Sequence, residues 1–159
     1  FVCFVLEHLP LPQMALSVLR DLLRPGGTIT VIEGDHGSTF FHPRSNAAWK
    51  PIQCLVDLQA AMGGDGLIGR RLYPLLRDAG FVDVTVEPKV IYADESRPDM
   101  VTGFTWNTYI AMVAGARERA IRAGLISADE FDEGLLALQK SGGPDGTFSY
   151  TFFKAVARK

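Results

Sequence analysis

The sequence predicts an α/β protein, and three features of the chain lead to this prediction. Residues 1–6 form an uninterrupted apolar run, as in a strand that is buried on both faces. An amphipathic, helix-length stretch follows, and then a β-branched run at residues 28–33. Strand, helix and strand with short joints form a βαβ unit, which crosses over right-handedly in a parallel sheet. The predicted order along the whole chain is β-α-β-α-α-β-α-α-β.

The first helix is predicted over residues 11–23, where apolar side chains recur near helical spacing. Pro12 suits the first helical turn, because its missing N–H has no partner to lose there. Pro25 disfavours helical geometry at the residue before it, and the two glycines that follow can take positive φ. The helix is therefore expected to end just before the second strand.

In the middle of the chain, the sequence pattern predicts a loop, two helices and a third strand. Residues 34–41 are predicted as a loop, and residues 46–62 as a helix that ends at a glycine-rich break. A second amphipathic piece over residues 69–79 also ends at a glycine. Residues 81–87 then alternate between apolar and polar side chains, as a strand does, and this strand can continue beyond Pro88.

In the last third of the chain, the sequence pattern predicts further helices and a closing strand. The helical pattern runs from Ser96 to about residue 123. Ser127 and Glu130 form a capping box, which predicts the start of another helix that reaches about residue 140. Residues 147–157 are rich in aromatic and β-branched side chains and predict the final strand.

Composition excludes several classes of function. The net charge is −2 and the pI is about 5.9, unlike the basic footprint of a nucleic-acid binder. No apolar stretch approaches the roughly 20 residues that a membrane helix needs. Cys3 and Cys54 both lie in apolar patterns, so we expect buried thiols rather than a disulfide, redox or metal role. A reducing cytoplasm fits these two cysteines, and we expect a cytoplasmic protein.

Polar residues stand at the ends of the first two predicted strands. Glu7 and His8 come directly after the first strand, and Glu33, Asp35 and His36 stand at the end of the second. Ligands of open α/β sheets bind at the carboxyl ends of parallel strands, so we expect the two clusters to meet at one edge. Their spacing matches no compact metal-binding motif, and no metal site is predicted.

Four motifs then occur in order along nearly the whole chain. They are VLEHL at residues 5–9, LLRPGG at 22–27, IGRRL with LLRDAGF between 68 and 81, and YTFFK at 150–154. In this order and spacing they resemble class I S-adenosylmethionine-dependent methyltransferases. The resemblance implies the C-terminal half of a Rossmann-like methyltransferase sheet, with strands equivalent to the fourth to seventh and the last one antiparallel. It also implies helices packed on that sheet and a helical insertion at about residues 96–140, within a single incomplete domain over residues 1–159.

By this resemblance the cofactor is S-adenosylmethionine, and Cys3, Phe4, Val5 and Leu6 form one wall of its pocket. The glycine-rich cofactor loop of the family and the acidic residue that holds the ribose are absent from the chain. The glycines at residues 63–66 follow a predicted helix rather than a strand, so they are not a cofactor loop. Together with the buried-strand pattern at the start, this predicts the C-terminal part of a larger domain, inactive by itself.

The implied activity of the full-length protein is methyl transfer to a small-molecule acceptor. The sulfonium supplies the electrophile, so the site holds the acceptor in line and excludes water. A base is needed only if the acceptor must lose a proton, and Glu33 and His36 are the best candidates. The predicted substrate contacts are Glu7, Glu33, Asp35, His36 and Phe40. The competing structural interpretation is helix-start charge compensation at Glu7 and turn formation at Asp35 and His36.

Two alternatives stay open at this point. The chain can be a non-catalytic fragment or a self-associating module, because an unpaired apolar edge at residues 1–6 recruits another chain. We then expect a homodimer through this opening strand. A nicotinamide-dependent oxidoreductase half is the weaker alternative, because a helical insertion before an aromatic last strand suits the methyltransferase better.

Overall fold

Four strands form one sheet in the computed structural model, which describes residues 1–159. The order across the sheet is β1-β2-β4-β3, and β1 is parallel to β2. With helices between the strands, this arrangement confirms the predicted α/β class. The strands are β1 (Val2–Cys3), β2 (Thr28–His42), β3 (Val82–Ala93) and β4 (Thr147–Arg158).

Seven α-helices and one ten-residue π-helix connect the strands. Short 3₁₀ turns at Leu6–His8, Ile68–Arg71 and Lys140–Gly142 complete the secondary structure. No helix has the length and apolar character needed to cross a bilayer. The α-helices are α1 (Pro12–Leu22), α2 (Asn46–Ala61), α3 (Leu72–Asp78), α4 (Pro98–Met100), α5 (Ala111–Ala114), α6 (Arg117–Arg122) and α7 (Ala128–Gln139), and the π-helix is Val101–Ile110.

The last strand, β4, runs antiparallel to its neighbours, as the resemblance implied. Just after β4 ends, the Lys159 N–H donates to the Gly27 carbonyl at 2.9 Å, immediately before β2 begins. On the other side, the Arg158 guanidinium contacts Asp83 at the start of β3, with Nε 2.8 Å from Oδ2. The end of β4 therefore lies beside the start of both neighbouring strands.

The opening strand is shorter than predicted. Only Val2–Cys3 pairs as a strand, and a 3₁₀ turn begins at Leu6. Phe4 still donates its N–H to the Ile32 carbonyl at 3.0 Å, but its φ of 54° turns the chain away from β2. The following N–H groups therefore bond to a side chain instead of a neighbouring strand.

The prediction of a loop at residues 34–41 is wrong, because β2 continues to His42. Glycine, aspartate and serine in this segment signal a turn when only local sequence is considered. Strand formation depends more on pairing partners than on intrinsic preference, and β4 lies beside β2 in the sheet and supplies such partners. Asp35 and His36 are consequently strand residues rather than turn residues.

The capping box and the helical segment before β4 are confirmed. Ser127 Oγ accepts the Glu130 N–H at 3.3 Å, and Glu130 Oε2 accepts the Ser127 N–H at 3.4 Å, at the start of α7. The helical pattern from Ser96 appears as α4, the π-helix, α5 and α6 in succession. The local signals at residues 96–140 were therefore sufficient to place helices there.

The chain divides into two compact units. The first contains Phe1–Gly37, Gln59–Val90 and Thr151–Lys159, and the second contains Ser38–Leu58 and Ile91–Tyr150. The prediction of a single domain over residues 1–159 stays a prediction. The first unit has a core that includes Val2, Leu6, Leu16, Val31, Ile68, Leu72, Leu76 and Phe81.

An aromatic cluster marks the core of the second unit. The ring centroids of Tyr109 and Phe148 lie 4.7 Å apart, and those of Tyr109 and Tyr150 lie 5.4 Å apart. The buried Tyr109 hydroxyl pairs with Thr39 Oγ1 at 2.7 Å, and burial raises the pKa of this tyrosine. This pairing satisfies a hydroxyl that would otherwise be costly to bury.

Candidate functional site

The carboxyl of Glu33 joins β2 to the turn that follows β1. Its side chain is 0% exposed. Oε1 accepts the Val5 N–H at 3.0 Å and the Leu6 N–H at 2.8 Å. Oε2 is buried and has no hydrogen-bond partner. The meeting of the two strand ends, expected from the parallel pairing of β1 and β2, is therefore observed at these atoms.

Burial raises the pKa of Glu33 above its ordinary value. The N–H groups of Leu6 and Val5 oppose this rise because they stabilise the carboxylate, and the charge of Glu7 adds to it. The unpartnered Oε2 adds to the cost of burying the charged form, since an ionised oxygen without a donor is costly to bury.

The turn after β1 presents an apolar edge. Phe4 and Val5 are 43% and 46% exposed, although both are large hydrophobic residues. The positive φ of Phe4 is uncommon outside glycine and costs roughly 1–2 kcal/mol, so surrounding contacts must hold it. One such contact is the ring of Phe152, whose centroid lies 5.1 Å from that of Phe4. Strained backbone of this kind is concentrated at functional sites.

The other two predicted cofactor residues are placed differently. Leu6 is 1% exposed and belongs to the core of the first unit, so its side chain packs inward. Cys3 is partly exposed rather than buried, and burial raises the pKa of its thiol. Cys54 is buried as predicted, and both cysteines are free. Within this wall, only Cys3, Phe4 and Val5 offer side-chain surface to a ligand.

Glu7 is bound by residues from α2 and from the glycine-rich break. Gln59 Nε2 donates to both the carbonyl and Oε2 of Glu7, each at 3.2 Å. The Asp65 N–H donates to the same carbonyl at 2.8 Å. His8 Nε2 lies 3.7 Å from Glu7 Oε1 and is largely exposed. Gln59 was not predicted as part of this cluster, and its position in α2 gave no sequence signal.

Asp35 forms the most complete ion pair of the cluster. Its side chain is 2% exposed, and the half-exposed Arg70 holds it through Nε to Oδ2 at 2.5 Å and Nη2 to Oδ1 at 2.7 Å. The Gly37 N–H also donates to Oδ1, at 2.9 Å. Arg70 was not among the predicted site residues. Its position in the IGRRL motif is the signal that could have identified it.

His36 is 5% exposed and lies in the same unit. Its backbone N–H donates to the Gly66 carbonyl at 2.9 Å. Burial lowers the pKa of His36, while the negative charges of Glu7 and Asp35 act in the opposite direction. The imidazole therefore favours its neutral form, which is the form that can accept a proton.

Phe40, the remaining predicted contact, lies further along β2 in the second unit, where it is 70% exposed. No group of three or more His, Cys, Asp or Glu side chains is arranged to hold a metal ion.

The first unit also has a groove of about 500 Å³ that none of the predicted site residues lines. This groove borders the start of α1, and its lining residues are Pro10, Leu11, Pro12, Gln13, Met14, Ser17, Arg71 and Leu75. We take Glu33 and His36 as the centre of the candidate site instead, because both are buried titratable groups with shifted pKa values beside the carboxyl end of β1.

Comparison with known proteins gives one curated relative. No family model matches the chain. A protein of Streptomyces fradiae, described as an uncharacterized 37.1 kDa protein in transposon TN4556, is 34% identical over 126 residues. The match covers 78% of this chain and 33% of that protein. The chain thus spans about a third of the length of the curated relative it matches.

Three solved structures that resemble the chain have methyltransferase in their names. Two are Haemonchus contortus phosphoethanolamine N-methyltransferase 2, one with phosphomonomethylethanolamine and S-adenosylhomocysteine (15% identity, TM-score 0.44) and one with S-adenosylmethionine (16%, 0.46). Each match covers 99% of this chain and 32% of the enzyme. The third is a candidate methyltransferase from Bacillus halodurans C-125, at 14% identity and TM-score 0.47, with 99% of this chain and 67% of that one covered. At identities of 14–16% and TM-scores below 0.5, these likenesses support no conclusion about the activity of this chain.

Proposed function

We propose that this protein is an S-adenosylmethionine-dependent methyltransferase that acts on a small-molecule acceptor. In this proposal the chain supplies one wall of the cofactor pocket and part of the acceptor side. The observation that carries it is the turn after β1. There Phe4 and Val5, which the resemblance assigns to the cofactor wall, form an exposed apolar edge beside the buried carboxyl of Glu33.

Cys3, Phe4 and Val5 fit one side of the proposed cofactor. The adenine ring and the carbon chain around the sulfur are apolar surfaces, and a partly exposed aromatic ring beside a β-branched side chain suits them. The edge also stands at the carboxyl end of a parallel strand, where ligands of open α/β sheets bind. When bound, the cofactor would supply the electrophilic methyl group. The residues of the chain would bind its apolar part and exclude water.

On the acceptor side, His36 is the better candidate of the two residues predicted as a general base. Its neutral imidazole can accept a proton from an acceptor that must lose one. Glu7 and Asp35 remain proposed acceptor contacts, and the contact predicted at Phe40 stays a separate prediction. Glu7 and Asp35 are already held by Gln59 and Arg70, which would give any acceptor a fixed polar surface.

The proposal is tested by calorimetric titration of S-adenosylmethionine into the full-length protein. We expect saturable binding, and we expect Phe4→Ala to weaken it about tenfold, since an aromatic contact contributes roughly 1 kcal/mol beyond buried area. Tyr73→Ala is the matched control, because Tyr73 is an exposed aromatic residue on α3. Absence of binding to the full-length protein would refute the proposal. Binding of a nicotinamide cofactor instead would favour the oxidoreductase alternative.

A second candidate function is self-association through the opening strand. It is supported by the position of β1 at one edge of the sheet and by the exposure of Phe1, Phe4 and Val5 beside it. We propose a homodimer formed there. Size-exclusion chromatography with light scattering should show dimers, which Phe1→Lys should weaken. A monomer at high protein concentration would contradict this candidate. The expected cytoplasmic location likewise stays a prediction.

A further inference from the structure

We infer that Glu33 is a positioning residue, whose buried carboxyl holds the turn after β1 in the shape that presents Phe4 and Val5 to the cofactor. It is not the proton acceptor of the reaction. The identity of the ligand in this inference rests on the proposed methyltransferase function. The effect of Glu33 on the turn, in contrast, can be measured without any ligand.

The turn needs an acceptor that the sheet does not provide. Phe4 is the last residue of the run whose N–H reaches a β2 carbonyl, at Ile32. The next two N–H groups, of Val5 and Leu6, both point to Glu33 Oε1. A backbone N–H at the buried Leu6 would be left without a partner if this oxygen were removed. One side-chain atom therefore replaces the strand pairing that ends at Phe4.

The same bonds fix the exposed edge. Val5 has φ −118° and ψ −45°, and Phe4 has a φ of 54°, so the chain reverses over two residues that are not glycine. Such conformations persist only where surrounding structure over-determines them. Bonds on both sides of this reversal, at Phe4 and at Val5, meet that requirement. The exposure of the two apolar side chains is a consequence of this geometry.

A role as proton acceptor does not fit the same carboxyl. Glu33 is fully buried, Oε1 is occupied by two donors, and Oε2 is enclosed. A general base must come within hydrogen-bond reach of the substrate proton, and neither oxygen is accessible for that. A glutamine has nearly the same shape as a glutamate, carries no charge and keeps an oxygen for the two N–H groups. Glu33→Gln therefore separates the two roles.

The first measurement is amide hydrogen exchange of the protein without ligand. In Glu33→Ala we expect the Val5 and Leu6 amides to exchange at least about tenfold faster, the effect of roughly 1.4 kcal/mol of lost local stability. In Glu33→Gln we expect protection within about threefold of the parent protein. Glu118→Ala, which removes an exposed glutamate on α6, is the matched control and should change neither amide.

The second measurement is S-adenosylmethionine affinity of the same full-length variants. We expect Glu33→Ala to weaken binding about tenfold and Glu33→Gln to restore it to within about threefold. Equal damage by both substitutions would overturn the inference in favour of a required charge, and unchanged protection in Glu33→Ala would overturn it outright. If Glu33→Ala does not fold, Glu33→Asp replaces it, because the shorter side chain withdraws the oxygen that accepts both N–H groups. If the parent protein does not bind the cofactor, the proposed function fails while the exchange result still decides the role of Glu33.

Discussion

Replacement of Arg70 by alanine should destabilise the protein more than replacement of Asp35, although both substitutions break the same ion pair. The reason is the unequal exposure of the two partners. The Asp35 side chain is 2% exposed, whereas that of Arg70 is 50% exposed. Arg70→Ala leaves a buried carboxylate without its cation, and Asp35→Ala leaves a guanidinium that water can reach.

The magnitudes follow from this difference. Breaking a buried pair by removing one partner costs about 3–5 kcal/mol, and we expect about 3 kcal/mol for Arg70→Ala because water enters where the half-exposed side chain was. Asp35→Ala loses two bonds from Arg70 and one from Gly37, yet these donors regain water. We expect about 1–2 kcal/mol for that variant. Chemical denaturation with urea measures both free energies of unfolding.

The control is Arg158→Ala, which breaks a pair between two exposed side chains, Arg158 and Asp83. Exposed pairs contribute about 0–1 kcal/mol, so this variant should lose the least stability. If Arg70→Ala and Arg158→Ala lost the same stability, burial of the Asp35 carboxylate would not govern the cost. The same conclusion would hold if Asp35→Ala were the more damaging half of the buried pair.

Three further predictions concern His36, the α7 cap and Gly69. Burial lowers the pKa of His36 below its ordinary 6.5. The contribution of the neutral imidazole to the stability of the folded protein is therefore complete above about pH 6.5 and is lost as the pH falls below this value. The urea-measured stability of His36→Gln should therefore fall less steeply below about pH 6.5 than that of the parent protein, and parallel slopes would contradict this. Ser127→Ala should cost about 1 kcal/mol by removing the cap bond to Glu130, and an unchanged melting temperature would argue against it. Gly69→Ala would place a Cβ 2.7 Å from the Gly34 carbonyl oxygen and should cost about 1–3 kcal/mol; a neutral result in thermal melts would mean that the backbone yields there.

Elements with strong local signals were predictable from the sequence. The helix over residues 11–23 appears as Pro12–Leu22, and the capping box opens α7 at the expected serine. The third strand continues to Ala93, as its pattern allowed. Proline placement, cap chemistry and period-two alternation act within a few residues, so they keep their meaning before the chain folds.

Elements that depend on distant partners were less predictable. The segment at residues 34–41 carries turn formers, yet it becomes strand because β4 pairs alongside it. At residues 1–6 the opposite occurred, because an apolar run that favours strand is interrupted at Phe4. The deciding factor in each segment is where its hydrogen-bond partners lie, and such partners come from residues far away in the sequence.

The meeting of the two strand ends was predictable, whereas the contacts of the side chains there were only partly predictable. Parallel pairing alone brought Glu33 close to the turn that contains Val5, because the carboxyl ends of parallel strands meet at one edge. The pairing of Asp35 with Arg70, and of Glu7 with Gln59, could not be derived in the same way. Each pairing joins residues at least 35 positions apart, and no periodic pattern connects them.

The amino-acid order by itself determined the α/β class, the βαβ unit at the start and the edge of the sheet where polar residues collect. Tertiary structure alone decided that Glu33 is fully buried, that one of its oxygens holds two backbone N–H groups, and that Phe4 and Val5 remain exposed. Local patterns specify which conformation a segment prefers. Burial and hydrogen bonding depend on how distant segments exclude water from one another, and that is settled only when the whole chain packs.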